Sequence, residues 1–261
     1  MRALAHSEAS AERLSGLELD VARGDLAKPE SLAAVCRGVT RLFLLTPFSP
    51  EQEQLESGAL DAAERVVKVS AEFAADAEPI AVGRPHAAIE RRLGESRLAA
   101  TILRPTDYAS NLLQVAEQIQ TGQIAYPAGE ARLALIDPRD IADAALAALT
   151  AEQPITGTFE LRGPEYLTYA EVAERIGAAL GRQITYHDTP PEAWRSTAIQ
   201  AGLPTFYADA LDEMYARIRQ GRHDPHTNDI ERLTGHPPRT LDEFLHERPR
   251  PALVPAAGHL T

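Results

Sequence analysis

One cysteine, Cys36, supplies all the thiol chemistry in this 261-residue chain. No intrachain disulfide can form, and a reducing cytoplasm is the expected setting. In SLAAVCRGV the cysteine falls among apolar neighbours on a helical stretch, which suits a buried structural thiol. Long apolar runs are also missing. LFLL at 42–45 is strand-sized and far short of a membrane span. Arg2 and His6 interrupt the start, where a signal peptide would need an apolar stretch, so none is expected. Positive charge is scarce, with 26 Lys and Arg against 38 Asp and Glu and a net charge of −12. Without a Lys/Arg-rich stretch to displace counterions, no nucleic-acid partner is expected, and no membrane partner either. No internal repeat is visible.

What is present is an alternation of short apolar strands and amphipathic helices, at ordinary apolar (44%) and charged (25%) fractions. RALA (2–5) reads as a strand, followed by a helix through EASAERL. LELDVARGDL (17–26) holds a second strand ending at Gly24-Asp25, and KPESLAAVCRGV a helix with Pro29 near its first turn. RLFLLTP (41–47) is a buried strand closed by Thr-Pro. A helix follows from Ser49-Pro50 through EQEQLESGALDAAERV. VVKVSA (66–71) is the next strand, GRPHAAIERRLGES (83–96) a helix, and LAATILRP (98–105) a strand halted by Pro105. Such βαβ units build a parallel sheet covered by helices, and right-handed crossovers place the strand C-termini on one edge, where ligands bind. Gly24-Asp25, Thr46-Pro47, Ser70-Ala71 and Pro105-Thr106-Asp107 all fall there.

Beyond this the pattern changes. IDPRDIADAALAALT (136–150) is a helix capped by Asp137. A strand–helix–strand unit follows, its helix opened by a Thr168–Glu171 capping box and closed by Gly181. Residues 190–247 are helical. The expected division is an α/β core over 1–150, a smaller helix-rich lobe over 151–247, and a Pro-rich tail over 248–261 that is extended or poorly ordered.

Several phrases together resemble the NmrA-like branch of atypical short-chain dehydrogenases: RALAHSEASAERLSGLELDVARGDLAKPESLAAVCRGVTRLFLLTP, GRPHAAIERRLGESRLAATILRPTDYASNLL, IDPRDIADAALAAL, FELRGPEYLTYAEVAERIGAALGR and GRHDPHTNDIERLTGHPPRTLDEF. The resemblance covers about residues 2–247. It implies a Rossmann-like α/β fold binding NADP or NAD. Such folds usually open with a strand and a G-x-x-G-x-x-G turn that cradles the pyrophosphate. No such sequence occurs here, and MRALAHS aligns with the family's second strand, so an N-terminally truncated sheet is expected and cofactor binding is in question.

The resemblance also distributes roles. Arg2, His6 and Ser7 match the region that meets the adenosine ribose or its 2′-phosphate, and Asp25 the adenine-contacting position, where a turn cap is the competing reading. Thr46, Pro47, Ser70 and Pro105 match strand ends flanking the nicotinamide. His86 and Glu90 share a helix face and replace the Tyr/Lys pair of classical members. His86, as a group titrating near neutrality, and Tyr108 are the candidate proton donors. His187, His223, His226 and His236 match no compact metal-ligand spacing, and no metal is expected. Trp194, Phe206, Tyr207 and Tyr215 suit core packing, with one or two lining a substrate pocket. The implied activity is NAD(P)-dependent reduction of a quinone or related carbonyl, on a small-molecule substrate. A homodimer or a regulatory protein partner is a further expectation. Two other readings stay open: a non-catalytic NAD(P)-sensing regulator, and a cofactor-independent cyclase or isomerase.

Overall fold

The computed structural model describes residues 1–61, 63–221 and 227–247. His223, His226 and the tail at 248–261 lie outside them. In chain order the core elements are β1 (Arg2–Ala5), α1 (Glu8–Ser15), β2 (Asp20–Arg23), α2 (Pro29–Val35), β3 (Arg41–Leu44), α3 (Gln52–Leu60), β4 (Arg65–Val69), α4 (Arg84–Glu95) and β5 (Ala99–Pro105). Next come α5 (Ala116–Gln120), β6 (Gln123–Tyr126), β7 (Arg132–Ala134), α6 (Pro138–Thr150), β8 (Gly157–Leu161), β9 (Tyr166–Thr168), α7 (Tyr169–Leu180) and β10 (Thr185–Asp188). The chain then closes with α8 (Pro191–Gln200), α9 (Thr205–Arg219), α10 (Asp229–Thr234) and α11 (Leu241–Glu247).

The main sheet is parallel, in the order β3-β4-β5-β8. Strand alternation sorts its side chains to two faces. Val66 and Ile102 join Leu44, Leu60, Ile89 and Leu93 on the side of α3 and α4. Val67, Val69 and Leu103 join Ile141, Ala144 and Phe159 on the side of α6. Each fully buried Leu, Ile or Val contributes about 1.5–3 kcal/mol. The same alternation sends Lys68 to the face of Val66, where the side chain is wholly buried.

β1 and β2 pair parallel as a separate two-stranded sheet. The outer edges of β1 and β3 have no strand partner among the described residues, and Leu4, Phe43 and Leu45 beside them are exposed. The small sheet is tied to the large one by its helix. α2 leans on α3 at Gly58, whose Cβ position is 3.8 Å from the Leu32 side chain and the Leu26 carbonyl. Cys36 ends α2 half-buried rather than buried, and burial raises its thiol pKa.

Strand pairing crosses the division expected at residue 150. β6 pairs with β10 and β7 with β9, while β8 returns to the main sheet beside β5. A third apolar cluster unites these pairs with α7, α9 and α11 through Tyr126, Leu133, Ile176, Tyr215 and Phe244. The capping box on α7 forms as expected, with Gly181 at φ 68° closing the helix.

Candidate active site at the strand ends

The C-terminal ends of β3, β4 and β5 open into a cavity of about 560 Å³, lined by Thr46, Pro47, Ser70, His86, Pro105 and Tyr108 among others. The apolar lobe supplies the opposite wall. Tyr207 of α9 lines the cavity, and Phe48 packs against the rings of Tyr207 and Phe206 at 5.7 and 6.1 Å. Phe206 itself is exposed, whereas Tyr215 and Trp194 pack edge to face at 5.2 Å in the lobe core.

Two hydroxyls on the sheet side are fixed by buried carboxylates. Thr46 donates to Glu56 Oε1 at 2.5 Å, and Ser70 donates to Glu90 Oε1 at 2.5 Å. Arg104 in turn holds Glu90 through Nε at 3.1 Å and Nη2 at 2.5 Å, and reaches Glu160 at 3.0 Å. Glu90 is thereby a fixed acceptor whose work is to orient Ser70. Each hydroxyl turns its proton inward and leaves its oxygen lone pairs for the cavity.

His86 is embedded in the same scaffold. Its Nδ1 lies 3.0 Å from Lys68 Nζ, and its Nε2 lies 3.3 Å from Gln52 Nε2. Lys68 also donates to the Val69 carbonyl and pairs with Glu56 at 3.1 Å, both charges being fully buried. Burial first, and the Lys68 charge second, push His86 down to about 3. The expectation of a histidine titrating near neutrality is therefore corrected: it is neutral, with Nδ1 facing the Lys68 ammonium and Nε2 facing the Gln52 amide. Burial also lowers Lys68, against the opposing pull of Glu56. Lys68, Gln52 and Glu56 were missed in the sequence. The signals were a charge inside the apolar run VVKV, and Gln52 and Glu56 spaced four apart on one helix face.

Tyr108 lines the cavity with its phenol pushed up to about 12 by burial, so it remains a hydroxyl donor at ordinary pH. The segment around it is pinned at successive backbone groups. Thr106 N–H donates to the Leu161 carbonyl at 3.0 Å, Ile136 N–H to the Asp107 carbonyl at 2.8 Å, and Ala109 N–H to the Ile136 carbonyl at 2.8 Å.

The adenosine-side candidates are spread out. Arg2 lies at the far end of β1 from the strand C-termini, bonded to Asp20 at 2.7 Å and the Val35 carbonyl at 2.7 Å, which keeps it away from the ligand edge. Ser7 caps α1 and shares a capping box with Ser10, so its hydroxyl is committed to the helix. His6 precedes it, exposed at the end of β1. The Asp25 carboxylate accepts from Ala27 N–H at 2.9 Å and sits 3.5 Å from Lys28, the turn-cap arrangement. That backbone bond, first among its partners, holds its pKa below the usual value. Of the histidines, His236 lies 3.3 Å from Asp143 and within ligand reach of Asp140, but the Arg239 guanidinium already bonds both carboxylates.

Comparison with known proteins fits this arrangement. The NmrA-like family matches residues 1–245. The chain is 32% identical over 249 residues to an NAD(P)H azoreductase of Xenophilus azovorans, covering 93% of this chain and 87% of the relative. Its fold matches an NADPH-dependent quinone oxidoreductase of Escherichia coli, solved with NADPH, at TM-score 0.83, 23% identity, and 94% and 88% coverage of the two chains. It also matches NmrA, a negative transcriptional regulator solved with NADP, at TM-score 0.76, 18% identity, and 94% and 86% coverage. With a family match across nearly its whole length and a relative above 30% identity, the chain belongs to the NmrA-like family.

Proposed function

We propose that this chain is an NAD(P)-dependent oxidoreductase that reduces a flat unsaturated acceptor, a quinone or an azo compound. The observation that carries the reading is the cavity at the strand ends, walled by Thr46-Pro47, Ser70 and Pro105 on one side and by aromatic side chains on the other. Bound dinucleotide would supply a hydride from its nicotinamide ring. Small and hydroxylic side chains at Thr46, Ser70 and Ala71 suit that ring because they allow close backbone approach, and the Thr46 and Ser70 hydroxyl oxygens keep lone pairs for the cavity. Pro47 and Pro105 stiffen the two turns. The phenol of Tyr108 would donate to an acceptor oxygen or nitrogen and orient it. Neutral His86, locked between Lys68 and Gln52, would hold the cavity's shape rather than exchange protons. His6, exposed at the end of β1, would meet the adenosine side; Arg2 would not, because its guanidinium is committed to Asp20 and the Val35 carbonyl.

The azoreductase and quinone oxidoreductase relatives support the acceptor class. The test is calorimetric titration with NADPH and NADH, followed by dinucleotide consumption with a panel of quinones and azo dyes. Binding of one dinucleotide with turnover of a panel member is the expected result. Failure of both dinucleotides to bind overturns it, and tight binding without turnover of any acceptor replaces it with the non-catalytic NAD(P)-sensing reading.

A further inference from the structure

Asp107 differs from the other carboxylate lining this cavity, Glu72, which pairs with Arg162 at 3.6 Å. The Asp107 backbone is pinned by Ile136 and its neighbours Thr106 and Ala109 are pinned in turn, with Thr106 Oγ1 also donating to the Ala134 carbonyl at 2.6 Å. Its carboxyl has no hydrogen bond or ion pair among the described residues. It lines the large cavity at the strand ends and also a second, smaller one of about 20 Å³. A volume of that size accepts a single water, given polar partners. Those partners are there: Glu72, Arg132, Arg162 and Tyr166 line it together with Asp107. Of these, Arg132 is about half exposed.

We infer that Asp107 is the proton donor of the reductase site and that the water-sized chamber behind it returns the proton. The inference rests on the reductase reading. In the step, a dihydronicotinamide supplies a hydride to one end of the acceptor's unsaturated system. The O–H bond of Asp107 breaks as a new O–H bond forms on a quinone oxygen, or an N–H bond on an azo nitrogen. Hydride and proton together give the neutral hydroquinone or hydrazine and leave an Asp107 carboxylate. A chamber water then passes that carboxylate a proton drawn from solvent.

The surroundings keep the acid protonated into the useful range. Burial alone pushes Asp107 up to about 6. The two chamber cations do not reverse this, because each already faces a carboxylate: Arg162 lies 3.6 Å from Glu72 and 3.4 Å from Glu160, and Arg132 lies 2.9 Å from Glu171. From the lobe side, the phenols of Tyr126, Tyr169 and Tyr215 interact with Asp107, and all three are raised by burial and stay neutral. Tyr108 is neutral beside it, and His86 across the cavity carries no charge at this pH. A general acid poised near the working pH is worth about 10²–10⁴-fold in rate.

The test uses the whole protein and its Asp107→Asn variant. Under saturating dinucleotide, wild-type turnover of a quinone should fall tenfold per pH unit above the Asp107 pKa. D107N should be at least about 10²-fold slower at pH 6, flat with pH, and unchanged in dinucleotide affinity by calorimetry. Without any ligand, the carboxylic-acid carbonyl band in the infrared should titrate between pH 5 and 7 in wild type and be absent in D107N. A wild-type pH profile in D107N, or no band titrating in that range, overturns the assignment while leaving the reductase reading intact. Failure of both dinucleotides to bind removes the reductase reading and the donor role together.

Discussion

Asp107 and His86 carry opposite proton linkages inside one cavity. The folded-state pKa of Asp107 is raised from 3.8 to about 6, so folding favours its protonated form. Its cost is absent below about pH 4, grows as pH rises towards 6, and is constant above that. At neutral pH the shift amounts to about 3 kcal/mol. His86 works the other way: its pKa is depressed to about 3, so its stabilising contribution is full above about 6.5 and is lost as pH falls. Because the two oppose each other, the clean observable is a difference between variants. Asp107→Asn should be more stable than wild type above pH 6, with the gap closing towards pH 4, as read from denaturant melts at several pH values. An equal gap at pH 4 and pH 7 would show that the carboxyl is not titrating in that window. Lys68 poses a different residue-scale problem. Lys68→Met strands the fully buried Glu56 and should cost about 3–5 kcal/mol, whereas Lys68→Met combined with Glu56→Leu should recover a large part of that loss. Denaturation midpoints of the two singles and the double measure the coupling directly. A charge inside VVKV was visible in the sequence. Its partners were not, because Glu56 and His86 reach it only after α3 and α4 pack on β4.

At the scale of elements, the site depends on how closely β8 passes the strand-end turns. A Cβ at Gly163, just beyond β8, would overlap the Leu135 carbonyl oxygen, a backbone atom that cannot swing aside. Gly163→Ala should therefore force the 134–136 segment away from Thr106 and Asp107, costing about 2 kcal/mol or more. Melting temperature and turnover should fall together; an unperturbed variant would mean that the two segments separate at no cost. Local signals in the sequence located most of the elements around this contact. The Thr168–Glu171 box starts α7, Asp137 starts α6, and Pro105 ends β5. β6 and β7 went unread because they are only four and three residues long, and their strand character comes from pairing with β10 and β9 far along the chain.

For the whole molecule, the question is what docks the last helices on the sheet. Arg239, ahead of α11, bonds Asp140 and Asp143 of α6, and Asp140 is wholly buried. Asp229 of α10 accepts the Glu160 N–H of β8 at 2.9 Å, making a second tie. Arg239→Ala should cost about 2 kcal/mol through the unpaired Asp140. The loss should be local, so hydrogen exchange should quicken in α10 and α11 before it does in β4 and β5. Uniform acceleration across the chain would show instead that these helices unfold only with the sheet.

The sequence by itself determined the alternation of strands and helices, the parallel sheet, the edge on which ligands gather and the family, because those follow from apolar period, turn residues and local caps. Only the tertiary structure decided which groups in that edge can move a proton. Burial beside Lys68 neutralises His86, and burial without a counter-ion lifts Asp107 to about 6. Neither desolvation nor the distance to a charge is written in a residue's sequence neighbours, because both are set by elements that meet only when the sheet and its covering helices pack.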